Sequence, residues 1–207
     1  MIKKTCIFIF LVVELSCAFA QIKPVTNTLQ WELNADANFY VIPDDFFIIP
    51  VFRADKNKLH LEARYNYEDK KTFSGWAGYN FKGGSKLAYT ITPMIGGVVG
   101  LSNGIAPGIE ATVNFKRFEL YNEGEYYFDL KTSENNYAYL WTDLTYSPTN
   151  CLWFGISGQR TKLYENDLDI QHGLLIGGGI KKWELNIYLY NIGSDDFFTL
   201  LTFSRSF

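Results

Sequence analysis

The sequence has few of the residues that build metal sites. It contains 2 histidines and 3 cysteines, and Cys6 and Cys17 lie in an N-terminal segment that we expect to be removed. The remaining Cys151 and two histidines cannot form a zinc site of the usual type. Carboxylates could hold Ca²⁺, but their spacing does not specify such a site. We therefore predict no metal and no cofactor.

Clusters of basic residues are also missing. The chain has 19 Lys and Arg against 22 Asp and Glu, a formal net charge of −3. Nucleic-acid binding needs clustered Lys and Arg, so a nucleic-acid partner is not expected.

Long apolar runs are absent after the first residues. The chain begins MIKKTCIFIFLVVELSCAFAQ, with Lys3 and Lys4, an apolar run, and small residues up to Ala20. This order is typical of a secretory signal peptide cleaved after Ala20. A transmembrane anchor is the alternative, but Glu14 leaves the run shorter than the roughly 20 residues that a spanning helix needs. Cys17 suggests a lipoprotein site, although Glu14 stands where such sites prefer leucine. Later segments contain frequent polar residues, so a membrane-embedded chain must cross as strands.

What the chain does contain is a repeated alternation of apolar and polar residues. The clearest case is FELYNEGEYYFDL, residues 118–130, in which carboxylates fall on one face and Asn122 alone interrupts the apolar face. Carboxylates facing a protein core without partners are costly, so the polar face must be wet and the apolar face buried. Similar runs give twelve candidate strands. The run FFIIPVFRAD after Pro43 is ambiguous because both faces are apolar, and Pro93 predicts a bulge or irregularity.

The connections between these runs alternate in length. The short set comprises residues 55–58, 82–86, 116–117, 147–150 and 181–182. The mostly longer set comprises residues 41–45, 68–71, 99–104, 131–136, 164–167 and 194–195. Periplasmic turns and extracellular loops of outer-membrane barrels alternate in this way, and an even strand number returns both termini to the periplasmic side.

A signal peptide, amphipathic strands with outward aromatics near their ends, and a last strand ending in Phe207 resemble Gram-negative outer-membrane β-barrel proteins. The C-terminal aromatic is similar to the signal that such proteins use for assembly by the outer-membrane insertion machinery. Arg205 departs from that pattern, since an apolar residue is usual there, but an interfacial arginine can snorkel.

The resemblance implies an all-β fold, a single antiparallel transmembrane β-barrel of twelve strands. Ten strands are the alternative, if either of the first two runs is a plug or linker. The predicted domains are a signal peptide (1–20), a periplasmic linker (21–28) and an outer-membrane barrel (29–207), in contact with outer-membrane lipid and lipopolysaccharide. A soluble lipocalin-like barrel is the competing fold, and it requires a polar exterior.

With the apolar faces outward, the opposite faces line the lumen. The predicted luminal acids are Glu32, Asp36, Glu62, Glu68, Glu110, Glu119, Glu123, Glu125, Asp129, Asp143, Asp169 and Glu184. The predicted basic partners are Arg53, Arg64, Lys116 and His60. The predicted luminal aromatics are Trp76, Tyr121, Tyr127, Tyr139, Trp141, Trp153, Tyr188 and Tyr190. The excess of acids favours cationic or neutral polar solutes, while the rings would narrow a pore or stack on a ring-shaped ligand.

Enzymes occur on such barrels, but the sequence offers no complete catalytic set. His172 falls on the lipid-facing side, and no Ser or Thr shares that face on the neighbouring runs, although Asn191 does. His60 shares the luminal face with Glu62 and Arg64, as a structural partner. The run 177–179 of three glycines predicts a bend or bulge and not a phosphate loop, because no helix follows.

Three functions remain open from the sequence. The leading hypothesis is a narrow passive channel for small polar or cationic solutes. The alternative is a structural or lipid-interacting barrel with a plugged lumen. The third is an outer-membrane lipid-modifying enzyme.

Overall fold

The chain folds as a closed β-barrel, seen in a computed structural model that describes residues 30–161 and 169–207. Its strands are β1 Glu32–Ile42, β2 Asp45–Lys56, β3 Leu59–Tyr65, β4 Thr72–Tyr79, β5 Phe81–Gly83, β6 Leu87–Gly100, β7 Gly104–Phe115, β8 Phe118–Asp129, β9 Tyr137–Thr149, β10 Leu152–Thr161, β11 Asp169–Ile180, β12 Trp183–Tyr190 and β13 Phe198–Ser206. A single 3₁₀ turn, η1 Ser133–Asn135, precedes β9. No helix in these described ranges is long and apolar enough to cross a membrane. The predicted signal peptide and linker lie outside the described residues.

Neighbouring strands are antiparallel, and two further pairings close the sheet. β1 pairs with β13, and β4 pairs with β6. Because β5 continues β4 along the same partner strand, the thirteen segments form a twelve-stranded barrel. The twelve-strand prediction is confirmed, and the ten-strand alternative is wrong because β1 and β2 are paired on both sides.

The irregularity that Pro93 predicts appears on the neighbouring strand. The register that pairs Gly78 with Met94 and Phe81 with Ile91 continues across the break between β4 and β5. It places Tyr79 and Asn80 opposite Pro93 and Thr92. Proline has no amide hydrogen to give to a ladder, so the strand is interrupted there.

The exterior of the described strands is apolar, as lipid requires, and polar side chains are buried in the lumen. In β3, Leu59 and Tyr65 are exposed, whereas His60, Glu62 and Arg64 are buried in the lumen. The same alternation holds around the described barrel, with aromatic rings near the strand ends. In a closed barrel the backbone groups of the strands are hydrogen-bonded within the sheet. Lipid therefore contacts mainly side chains. The soluble lipocalin-like alternative is wrong because its exterior would be polar.

The structure resolves one ambiguous run and overturns one local expectation. The ambiguous run in β2 places Phe47, Ile49 and Val51 inside the barrel. One apolar face of β2 therefore packs in the lumen, and the other is exposed on the outer surface. The glycine run 177–179 is neither a bend nor a bulge, since β11 keeps one register with β10 and with β12. An added Cβ at Gly177 would lie 2.0 Å from Trp153 Nε1, so the glycine leaves room for the indole.

The apolar exterior gives a depth-dependent prediction. Leu144, near the middle of β9, and Leu33, near the start of β1, are similarly exposed at 42% and 44%. We expect Leu144→Arg to lower the free energy of unfolding by about 2–4 kcal/mol and Leu33→Arg by about 0–1 kcal/mol, because arginine is costly at the bilayer midplane and cheap at the interface. Denaturant titration in lipid vesicles measures both. Equal losses for the two variants would mean that the outer face does not meet a bilayer.

Candidate functional site

A cavity of about 960 Å³ occupies the part of the lumen nearest the short turns. Its mouth is formed by turn residues, among them Lys116, Arg117 and Asn150. Its inner end is formed by strand residues such as Glu123 and Tyr188 and by Tyr67 from the loop between β3 and β4. Short turns face the periplasm in outer-membrane barrels, so the cavity opens on the periplasmic side.

The cavity wall carries more carboxylates than cations. Its acids are Asp36, Glu110, Glu119, Glu123, Asp143 and Glu184, and its cations are Arg53, Lys116 and Arg117. Arg53 is already paired: its guanidinium contacts Asp36, lies 2.8 Å from Glu62 Oε1 and lies 3.9 Å from Glu110 Oε1. The wall therefore keeps an excess of negative charge.

Asp143 is held by neutral donors. Its Oδ1 accepts hydrogen bonds from Trp141 Nε1 at 2.7 Å and Ser157 Oγ at 2.5 Å, and its Oδ2 accepts one from Tyr188 at 3.0 Å. Ser157 is also 2.6 Å from the hydroxyl of Tyr190. These bonds fix an aromatic and acidic wall at the inner end of the cavity, where a cation could be held by charge and by ring faces.

Above the cavity, Arg64 crosses the lumen from β3 to β8. Its side chain is fully buried, with Nε 2.6 Å from Glu62 Oε2 and NH1 2.9 Å from Glu123 Oε1 and 3.4 Å from Glu125 Oε2. The guanidinium also lies 4.3 Å from the ring centre of Tyr67 and 4.5 Å from that of Trp76. These six residues form what we call the Arg64 layer.

One corner of this network has the residue types of a metal site. Ligand atoms of His60, Glu62 and Glu110 lie within 4.8 Å of one another. His60 Nδ1 is 2.9 Å from Asp55, and His60 Nε2 is 3.0 Å from Glu62. Because the guanidinium of Arg53 already reaches Glu62 and Glu110, the described residues make an ion-pair network at this position.

Two apolar clusters pack inside the barrel, and the first of them reaches the inner end of the cavity through Val51, Trp141, Leu175 and Tyr188. The first comprises Tyr40, Phe47, Ile49, Val51, Tyr139, Trp141, Leu175, Tyr188, Tyr190, Phe198 and Leu200. The second comprises Trp76, Met94, Val98, Ala106 and Tyr127. Tyr190 and Leu200, which do not line the cavity, have 0% exposure, so water does not reach them. Together with the Arg64 layer these clusters, which we call the plug, fill the described lumen beyond the inner end of the cavity.

Glu68, in the loop between β3 and β4, is tied into the plug. Its Oε1 accepts hydrogen bonds from Ser74 Oγ at 2.5 Å and Trp76 Nε1 at 3.2 Å, while Oε2 has no hydrogen-bond partner in the described part of the chain. Burial raises the pKa of Glu68. The hydroxyl of Tyr137 donates a hydrogen bond of 2.9 Å to the backbone oxygen of Glu68, and this bond anchors the loop over the lumen.

The remaining predicted site residues lie at the ends of the barrel. Glu32 and Lys116 are exposed at the periplasmic end. Asp129 accepts hydrogen bonds from the amides of Lys131 and Thr132, and so caps the extracellular loop after β8. Asp169 is the first residue of β11, and its side chain lies outside the described part of the chain.

Tyr121 links the cavity to the Arg64 layer, and Trp153 belongs to the cavity wall. The hydroxyl of Tyr121 is 3.0 Å from Glu110 Oε1 and 3.0 Å from Glu123 Oε2, and Trp153 donates a 2.7 Å hydrogen bond to Asn186. Both rings line the cavity. The structure thus divides the predicted luminal set between an open cavity and a closed layer.

Three aliphatic members of the plug are residues that sequence reasoning missed. Val98, Leu175 and Leu200 interrupt otherwise polar luminal faces. Together with the doubly apolar β2, these interruptions were the available signal for a filled lumen.

Comparison with known proteins supports the fold and leaves the function open. No protein-family model and no curated protein matches the chain. Among solved structures, it is similar to a KdgM porin in complex with disordered oligogalacturonate, with a TM-score of 0.64 and 16% identity over 84% of this chain and 99% of that one. A second KdgM porin structure has a TM-score of 0.64 and 17% identity over the same shares. The Acinetobacter baumannii outer membrane protein Omp33 has a TM-score of 0.49 and 12% identity over 86% of this chain and 98% of that one.

The chain therefore has the fold of a Gram-negative outer-membrane barrel, as its resemblance implies. The apolar exterior of its described strands fits that membrane and confirms the predicted localisation.

The Arg64 layer predicts that two ion-pair variants lose very different amounts of unfolding free energy. Arg64→Gln leaves Glu62, Glu123 and Glu125 buried without their shared cation, and we expect the free energy of unfolding to fall by about 3–5 kcal/mol. Lys70→Gln removes an exposed pair with Asp45, and we expect a loss of under about 1 kcal/mol. Denaturant titration in vesicles compares the two. A loss for Arg64→Gln as small as that for Lys70→Gln would show that Arg64 is not the cation that holds the layer together.

Proposed function

We propose that the protein is a narrow outer-membrane channel for small cationic or neutral polar solutes, closed at rest by the plug. The observation that carries the proposal is the acid-lined cavity of about 960 Å³ inside a closed barrel. A structural barrel needs no such space, since a packed interior would bury more surface. A cavity of this size falls in the range of small-molecule sites, roughly 300–1,000 Å³.

The solute class follows from the charge of the wall. Glu119 and Glu184 face the cavity on the periplasmic side, and Asp143 marks its inner end. In a confined lumen such carboxylates attract cations and repel anions. Trp141, Trp153 and Tyr188 add ring faces that can contact an organic cation or a sugar.

The likeness to KdgM porin supports the barrel fold of this chain and gives no support to a shared solute. Oligogalacturonate is a chain of uronic acids and is negatively charged at neutral pH. An excess of carboxylates on the cavity wall disfavours such a polyanion. We therefore assign this chain the opposite charge preference.

A plugged structural or lipid-interacting barrel is the second candidate. The observation that favours it is the complete burial of Tyr190 and Leu200 in the extracellular half. For a channel, this half must rearrange before solutes pass, and conduction would be rare at rest.

The lipid-modifying enzyme has the least support. On the outer face His172 lies opposite Gly158, which has no side chain to act as a nucleophile. His60 is hydrogen-bonded to Asp55 and Glu62. Neither histidine is hydrogen-bonded to a hydroxyl or thiol in the described ranges, so the nucleophile and base of a triad are not paired there.

The partners that we propose follow from the exterior. The barrel is surrounded by outer-membrane lipid and lipopolysaccharide, and the exposed terminal Phe207 is the proposed signal for the outer-membrane insertion machinery. Phe207 is held at the barrel rim by a 2.9 Å hydrogen bond from its amide to the Leu33 carbonyl oxygen.

Planar-bilayer recording tests the channel. We expect the natural protein to show rare openings with cation preference, and Trp76→Ala/Tyr127→Ala to conduct much more often, because both rings belong to the plug. We expect Glu119→Gln/Glu184→Gln to lower the cation-over-anion permeability ratio. The matched control is Asp195→Asn/Asp196→Asn, in the extracellular loop before β13, which should leave that ratio unchanged.

Two outcomes would decide against the proposal. A plugged structural barrel would be identified if no conductance is recorded for the natural protein or for the Trp76→Ala/Tyr127→Ala variant. Anion preference that survives Glu119→Gln/Glu184→Gln would show that the cavity acids do not select the solute.

A further inference from the structure

The periplasmic rim carries cations placed over outward-facing aromatic rings. Lys56 Nζ lies 5.6 Å from the ring centre of Trp31, and Lys58 Nζ lies 5.3 Å from that of Tyr79. Both rings are on the exposed outer face of the barrel. The two ammonium groups are therefore held at the outside of the rim and not in the lumen.

Arg205 repeats this arrangement on the last strand. Its guanidinium lies 4.5 Å from the ring centre of Trp183 and 4.8 Å from that of Phe207. The side chain is exposed and on the outer face, between two rings that are themselves exposed. The arginine that departs from the usual C-terminal pattern is thus a fixed, outward cation.

These positions are continuous around the barrel. The strands run in the order β12, β13, β1, β2, β3 and β4, each paired with the next. The turn between β11 and β12 adds two exposed lysines at the same edge. We call this set the basic–aromatic arc, and its members are Trp31, Lys56, Lys58, Tyr79, Lys181, Lys182, Trp183, Arg205 and Phe207.

The arc contains five cations, Lys56, Lys58, Lys181, Lys182 and Arg205, and none of its members is Asp or Glu. Ion pairs of the described residues lie in the lumen, around Arg53, His60 and Arg64, and at the extracellular rim, where Lys70 pairs with Asp45. Acids near the arc, such as Asp55, point into the barrel, where Asp55 contacts His60. The outer edge of the periplasmic rim is therefore positively charged across six neighbouring strands.

We propose that the basic–aromatic arc binds the phosphate groups of anionic phospholipids in the periplasmic leaflet. Tryptophan and tyrosine rings settle at the level of lipid headgroups, and long basic side chains beside them reach the phosphates. Each such cation near an anionic leaflet strengthens the binding constant for that leaflet by about a factor of five. The arc lies at the barrel end that carries the chain terminus, opposite the loops that meet lipopolysaccharide.

This inference does not depend on whether the lumen conducts. None of the arc residues lines the cavity or belongs to the plug. A barrel of either proposed function could hold these lipids.

The test compares lipid retention by the full chain and two charge variants. Protein reconstituted with phosphatidylglycerol and phosphatidylcholine is extracted and examined by native mass spectrometry. We expect the natural protein to retain phosphatidylglycerol preferentially, and Lys56→Gln/Lys58→Gln/Arg205→Gln to lose that preference by on the order of a hundredfold if the three charges add. The matched control Lys70→Gln/Lys71→Gln/Lys131→Gln removes three charges from the extracellular rim and should keep the preference.

Three results would overturn the proposal. The arc variant could retain phosphatidylglycerol as the natural protein does, or the control variant could lose it equally. Alternatively, the arc variant could lose binding to soluble peptidoglycan fragments while its lipid preference stays intact, which would identify a periplasmic polymer as the partner. Heat-modified electrophoretic mobility of each variant shows that it is folded before the comparison is made.

Discussion

The structure depends on one constraint: apolar side chains must face lipid, so each strand sends its polar side chains into the lumen. Water can solvate those groups only where it enters. In the periplasmic half it does, and Glu119 and Glu184 line a cavity. In the other half the lumen is narrow and filled, and the carboxylates of Glu62, Glu123 and Glu125 must share the cation of Arg64. A buried charge without a partner is far more costly than an exposed one, so the Arg64 layer and the plug occur together.

The fold was accessible from the sequence because its signal repeats in every strand. The alternation of β8 and the alternating connection lengths predict a closed barrel without reference to any contact, since side-chain period and turn length are local properties. The plug was not accessible, because it depends on which luminal side chains meet across the barrel. Arg64 and Glu123 are far apart in sequence, and no strand pattern shows that β3 and β8 approach each other. The run that contains Val51 was ambiguous in the sequence because both of its faces are apolar, and the inward direction of Val51 and Leu200 is visible only in the structure.

The division of the lumen also sharpens the functional question. The predicted luminal acids do not act as one selector: some of them hold the Arg64 layer together, and others give the cavity its charge. In the proposed channel, the cavity would select the solute and the plug would close the lumen. On the outer surface, Arg205 is explained by its place between Trp183 and Phe207, at the level where lipid phosphates lie.

We infer that water enters the periplasmic half of the lumen and stops at the plug. Thiol labelling with a small membrane-impermeant reagent tests this with cysteines at two serine positions, in a Cys151→Ser background. Ser204 lines the cavity, and Ser74 has 0% exposure beside Glu68 and Trp76. We expect rapid labelling of Ser204→Cys and protection of Ser74→Cys until the barrel is unfolded. Equal labelling rates at the two positions in the folded protein would contradict it.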